Sequence, residues 1–142
     1  MKYLLDTDHI SFIQRRNSAE YFKLTTRIAN YSPGDFAFSV VSLHEQMLGA
    51  NAFINRAKKS EDITRGYTIL LEILQGFSIA PVLPFDAAAV TIFEQLRAQK
   101  IRIATMDLRI ASIALARNLT LLTRNSQDFK QVPGLVMEDW TV

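Results

Sequence analysis

Lys2-Tyr3-Leu4-Leu5-Asp6 opens the chain with a short apolar run that stops at a carboxylate. A run this brief, apolar at consecutive positions, predicts a buried strand. Working outward, residues 36–39, 78–83, 119–123 and 135–138 read as further strands, with Pro81 placing 78–83 at an edge or a bulge. Helical patterns fill the intervals. A short helix through Ile10, Phe12 and Ile13 has Thr7 or Asp8 available as its cap. Residues 19–29 form a second, with Phe22, Ile28 and Ala29 facing inward, and Ser32-Pro33-Gly34-Asp35 is a turn. Helices over 43–57 and 63–75 follow, the latter stopped at Gly76, and Asp86 caps another through Val90, Phe93 and Leu96. Residues 107–118 are apolar nearly all round apart from Arg109 and Arg117, so that helix should be buried among others.

Short apolar strands alternating with helices predict a three-layer α/β fold, a mainly parallel central sheet flanked by helices. No repeat, low-complexity tract or linker interrupts it, and 142 residues suit a single domain over residues 1–142. Cysteine is absent, which excludes disulfides, thiolate metal sites and thiol nucleophiles. A net charge of +2 permits an acidic partner without demanding one. The opening residues do not form a secretion signal, and no run approaches the ~20 apolar residues of a membrane span, so a cytoplasmic protein with no membrane contact is expected.

In parallel sheets ligands collect beyond the carboxyl ends of the strands, and here acids gather at those ends. Asp6 directly follows the first strand, where a carboxylate is costly to bury unless something positive meets it; capping the next helix is its other reading, as it is for Asp8. Glu45 lies just beyond the second strand, yet Ser42-Leu43-His44-Glu45 also fits a capping box. Asp107 opens the most apolar helix, where an acid favours the helix dipole, although Thr105 is already available as a cap. Asn125 and Asp128 follow the fourth strand, as turn formers or as groups in the outer shell of a metal site. Together these residues supply oxygen ligands, with only His9 and His44 as nitrogen donors. Such a set selects Mg²⁺ or Mn²⁺ over zinc and suits phosphodiester hydrolysis.

The same segments resemble the PIN-domain family, and within it the VapC-type ribonuclease toxins of bacterial type II toxin–antitoxin systems. Tyr3-Leu4-Leu5-Asp6-Thr7 is similar to that family's first strand and first metal-binding acid. Ser39-Val40-Val41-Ser42-Leu43-His44-Glu45, followed by Gly49, resembles the segment of the second. Asp107-Leu108-Arg109-Ile110-Ala111 resembles the third, and Leu121-Leu122-Thr123-Arg124-Asn125 with Asp128-Phe129 the closing signature. The resemblance implies a parallel-sheet fold, Mg²⁺- or Mn²⁺-dependent RNA cleavage, homodimerisation and inhibition by a cognate antitoxin. It makes Asp6, Glu45 and Asp107 the core acids for metal and catalysis, with Asn125 or Asp128 completing the site through water. Gln46 stands where the family commonly has an apolar residue.

RNA must also be held, and Arg15, Arg16, Lys58, Lys59, Arg97, Lys100 and Arg102 are candidates for phosphate contact or solvated helix faces, with Phe22, Phe53 and Trp140 for base stacking or for core and interface packing. Two rival enzymes are a phosphatase built on Asp6-Thr7-Asp8, which lacks a later Gly-Asp-x-x-x-Asp segment, and a histidine nuclease, which would work in EDTA. The non-enzymatic rival is a PIN-like module that grips RNA or protein with its acids serving only as caps.

Overall fold

The two-sided burial expected of the strands is what the fold delivers. A computed structural model describes all residues from Met1 to Val142. In chain order the elements are β1 (Tyr3–Leu5), α1 (Thr7–Arg15), α2 (Ala19–Ile28), β2 (Phe36–Ser39), α3 (Val40–Arg56), α4 (Ser60–Phe77) and β3 (Val82–Leu83). They continue with α5 (Ala87–Ala98), α6 (Thr105–Ala116), β4 (Thr120–Leu122), α7 (Ser126–Phe129) and β5 (Met137–Glu138). The five strands lie in the order β3-β2-β1-β4-β5, every pair parallel. Successive side chains alternate across the sheet. Leu4, Ala37 and Leu121 face one layer, where Phe93 and Leu96 of α5 and Leu108, Ile110 and Ile113 of α6 close over them. Leu5, Phe36, Phe38 and Leu122 face the other, with Ile10 of α1, Leu24 of α2, Ile73 and Phe77 of α4, and Trp140. The architecture is the three-layer α/β fold expected, and α6 is buried along most of its length as its composition predicts.

Several boundaries move, each for a local reason. Asp6 itself caps α1, accepting from Thr7 N, so neither Thr7 nor Asp8 is the cap. Ser39 caps α3, which starts at Val40; the capping box at Ser42 and Glu45 does not form. Thr105 is the first residue of α6 and Ala104 its cap, so no side chain satisfies that helix end. Gly76 does not stop α4, which runs on to Phe77, since Phe77 is buried against Phe38 with ring centroids 5.3 Å apart. The helix-ending work is done instead by Arg16, Lys100 and Asn118, all in left-handed backbone with φ of 58°, 57° and 59°. Gly66 has a packing role: a Cβ there would lie 2.5 Å from Ile54 Cγ1, so its absence lets α4 close on α3. In α2 the buried residue is Leu24, while Phe22 is 61% exposed. The third strand shrinks to two residues at the sheet edge, consistent with Pro81. No helix is long and apolar enough to cross a membrane.

Candidate active site

Because β1 is central, the residue that follows it meets the ends of its neighbours. The Asp6 amide still donates to Leu122 O of β4 at 2.9 Å, so its side chain starts from a fixed backbone. That side chain is 5% exposed. Oδ1 accepts from Thr7 N at 2.8 Å and Oδ2 from the Thr123 hydroxyl at 2.8 Å. Burial, and then the charge of Asp8, push its carboxyl up to about 7 against the opposing pull of those two hydrogen bonds. Asp107, in the first turn of α6, is pushed up to about 6 by burial and then by Glu45, Asp128 and Asp8. Each of these acids therefore lies in the field of others.

Hydroxyls tie the cluster together. Thr7 Oγ1 donates to Glu45 Oε1 at 2.9 Å and lies 2.9 Å from Ser42 Oγ. One hydroxyl carries one proton, so with Thr7 donating to the carboxylate, Ser42 is the donor to Thr7. Ser39 in turn lies 3.2 Å from Ser42. On the other side Thr123 gives its proton to Asp6 and accepts from Asn125 N at 2.9 Å. Asn125 Nδ2 donates to Asp128 Oδ2 at 3.1 Å. Sequence patterns point to neither threonine. Their partners lie 38 and 117 residues away, and only the sheet order brings them within reach.

Asp6, Glu45, Asp107, Asn125 and Asp128 thus come together at the carboxyl ends of β1, β2 and β4. No three acids or histidines close on one point tightly enough to enclose an ion. The donor chemistry nevertheless fits a hard divalent cation: every ligand is oxygen, and the two most perturbed carboxyls are held up by burial and mutual repulsion that a cation would relieve. The cations offered for phosphate contact, Arg15, Arg16, Lys58, Lys59, Arg97, Lys100 and Arg102, are all exposed. Arg124, outside that set of cations, shares the Phe12 ring with Arg15, their guanidiniums 5.3 and 5.6 Å from its centroid. Trp140 is fully buried, so it cannot stack on a base; it fills the aromatic packing around Tyr3, Tyr31 and Phe36. Beside α1 and α2 runs an apolar groove of about 340 Å³, lined by Leu5, Ile13, Ile28, Phe36, Phe38 and Ile79.

The family model for the PIN domain matches residues 3–135. The tRNA(fMet)-specific endonuclease VapC of Shigella flexneri is 32% identical over 146 aligned residues, which span 99% of each chain. Ribonuclease VapC2 of Rickettsia felis is 28% identical, covering 99% of this chain and 98% of its own. Among solved structures, DNA-bound VapBC from Salmonella typhimurium aligns with a TM-score of 0.76 at 25% identity, over 99% of this chain and 98% of that one. VapBC2 from Rickettsia felis, bound to a promoter DNA fragment, aligns at 0.70 with 28% identity over 99% of each.

Proposed function

The chain belongs to the PIN-domain family, and on that premise we propose that it is the endoribonuclease toxin of a toxin–antitoxin pair, with Asp6, Glu45 and Asp107 as its metal-binding acids. The observation that carries the reading is the gathering of these carboxylates, two of them displaced toward neutral pH, at one end of a parallel sheet. PIN-domain nucleases use a divalent metal; here Mg²⁺ or Mn²⁺ fits the oxygen donors. Such an ion, when bound, supplies an activated water and neutralises charge at the scissile phosphate.

The chain's own residues prepare that site. Thr7 N and the Thr123 hydroxyl each take one oxygen of Asp6, which fixes the plane of the carboxylate while leaving it ionisable. Thr7 steers Glu45 with a single hydrogen bond, leaving its second oxygen for the metal or the attacking water. Asn125 holds Asp128 on the rim, so the two act as a pair that completes the site through water. Asp107 approaches from the first turn of α6, beside Glu45 on the neighbouring α3. The whole of residues 1–142 works as one PIN domain, in the cytoplasm and as a homodimer. RNA is the substrate, and the name of the Shigella relative makes tRNA the first to try. A cognate antitoxin inhibits by laying an apolar segment along the groove beside α1 and α2 and offering an arginine or lysine to the acids.

The test is cleavage of cellular RNA by the wild type and by Asp6→Asn, each with Mg²⁺, Mn²⁺ or EDTA. Metal-dependent cuts that vanish in the variant are expected. Cutting that survives both EDTA and the substitution would overturn the carboxylate mechanism.

A further inference from the structure

The proposed function makes no use of His9, although this side chain is fully buried and lies three residues after Asp6 in sequence. Both its ring nitrogens are occupied. Nδ1 lies 2.7 Å from Asp8 Oδ1, and the Trp140 backbone amide donates to Nε2 at 3.2 Å. A backbone N–H can only donate, so Nε2 is the bare nitrogen and the ring proton sits on Nδ1, aimed at Asp8. The opposite tautomer would set two donors against each other at Trp140 and two acceptors at Asp8. Asp139 Oδ1 is 3.7 Å from Nε2, too far to bond, and is taken instead by Thr141 N and the Thr141 hydroxyl.

The contact continues into the acid rim. Asp8 Oδ2 accepts from Arg124 N at 2.9 Å and lies 3.4 Å from Thr123 Oγ1. Thr123 bonds Asp6, and the same turn carries Asn125. Trp140 is a firm anchor for this chain of contacts. It has no exposure, its ring centroid is 4.7 Å from that of Tyr3, and the Arg27 guanidinium stacks on it at 4.6 Å. Asp8 also needs restraint, because its charge repels that of Asp6.

We propose that His9 is a positioning residue for the divalent-metal site: with its tautomer set by the Trp140 amide, it clamps Asp8 to the Arg124 amide and thereby holds the β4–α7 turn against Asp6. This rests on the reading of Asp6 as a metal ligand. Partners that orient a metal site from outside its ligands typically contribute about 10–100-fold in affinity.

The experiment is Mn²⁺ binding to the full chain, by calorimetry and by electron paramagnetic resonance, in wild type, Asp6→Asn, His9→Asn, His9→Gln and Trp140→Phe. Asparagine places an amide N–H near the Nδ1 position and keeps the bond to Asp8. Glutamine reaches toward Trp140 and loses it. His9→Asn is expected to bind within about threefold of wild type and His9→Gln at least about tenfold more weakly. Trp140→Phe keeps the backbone amide but gives up part of the ring packing that anchors it, so it should melt earlier and bind Mn²⁺ with an affinity between those of His9→Asn and His9→Gln. A merely structural His9 would make its two variants fall together, and that result would overturn the proposal. Histidine-selective NMR of the wild type gives a test that needs no variant to fold: the Nδ1–H tautomer is expected, and an Nε2–H tautomer would overturn the clamp. Asp6→Asn separates the two ideas. If it loses Mn²⁺ while His9→Gln does not, only the clamp falls; if it binds as wild type does, the site and the clamp fall together.

Discussion

The two faces of the sheet are finished differently. On the side of α5 and α6 the core is sealed: its buried members are apolar apart from Ser112, whose hydroxyl donates to Leu108 O within α6, and α6 disappears beneath its neighbours. On the side of α1, α2 and α4 the core is aromatic and interrupted. A groove of about 340 Å³ opens to the strands, and Phe22, Leu74 and Ile79 stand 61%, 66% and 66% exposed. The sealed face spends its apolar residues inside the chain, so it sets stability. The open face keeps apolar surface in reserve, as a partner's binding site requires. The acid rim sits where the two meet, Asp107 coming from the sealed side and Asp6 from the strand they share.

The largest effect should come from that junction. Asp107→Asn is expected to lower RNA cleavage at least about a hundredfold, the scale of single electrostatic contributors to a transition state, with no loss of cooperative melting. Near-normal turnover in that variant would separate the sealed face from the chemistry. Next, Ile110→Ala, at a position with no exposure, should cost about 2–5 kcal/mol in denaturant unfolding, against well under half of that for Ile28→Ala on the half-buried groove wall. Equal losses would erase the contrast between the faces.

A smaller effect is tied to pH. The Asp6 carboxyl is held at about 7 in the folded chain against 3.8 for an unperturbed aspartate, so the folded state binds this proton more tightly. Stability without metal is therefore greatest below pH 4 as far as this group is concerned, and falls as pH rises toward 7, by no more than roughly 4 kcal/mol. Asp107, raised in the same direction, shifts stability the same way. Melting curves from pH 4 to 8 should show the decline, Asp6→Asn should flatten it, and Mn²⁺ at pH 8 should restore the loss. A metal-free chain that gains stability over that range would contradict the assignment. Smallest of all for the fold is Ile79→Ser on the open face. Melting should shift by less than about 0.5 kcal/mol, while affinity for an apolar antitoxin segment drops about tenfold or more. Unchanged affinity would move the partner to another surface.

What the sequence made readable was whatever is written locally. Residues 36–39 form a strand at the positions expected; the rule that ligands gather past strand ends singles out Asp6, Glu45, Asn125 and Asp128, and the mouth of the most apolar helix singles out Asp107. Contacts between distant residues were not readable. Thr7 holds Glu45, and Thr123 holds Asp6, but nothing in their own neighbourhoods marks them for these partners. Asp8 looked like a cap because caps are the common use of an aspartate before a helix; its real partners, His9 and the Arg124 amide, need the tail and the fourth strand in place. Trp140 and Phe22 share the same two readings, stacking or packing; Trp140 is the one covered, and Phe22, placed inward from its helix pattern, is exposed. Aromatic character says that a ring wants cover, and only the tertiary packing says which ring receives it.

The placement of β1 at the middle of the sheet has a further consequence, in the order of events during synthesis. Asp6 is made more than a hundred residues before β4, yet its strand pairs with Phe36 and Ala37 on one side and with residues 120–122 on the other. Its hydroxyl partner is 117 residues downstream. Such long-range pairings close late, and a chain emerging at about 5–20 residues per second exposes Asp6 well before Thr123. A copy made only as far as α5 therefore carries Asp6 and Glu45 without a site, and the acids assemble only once α6 and β4 have followed them.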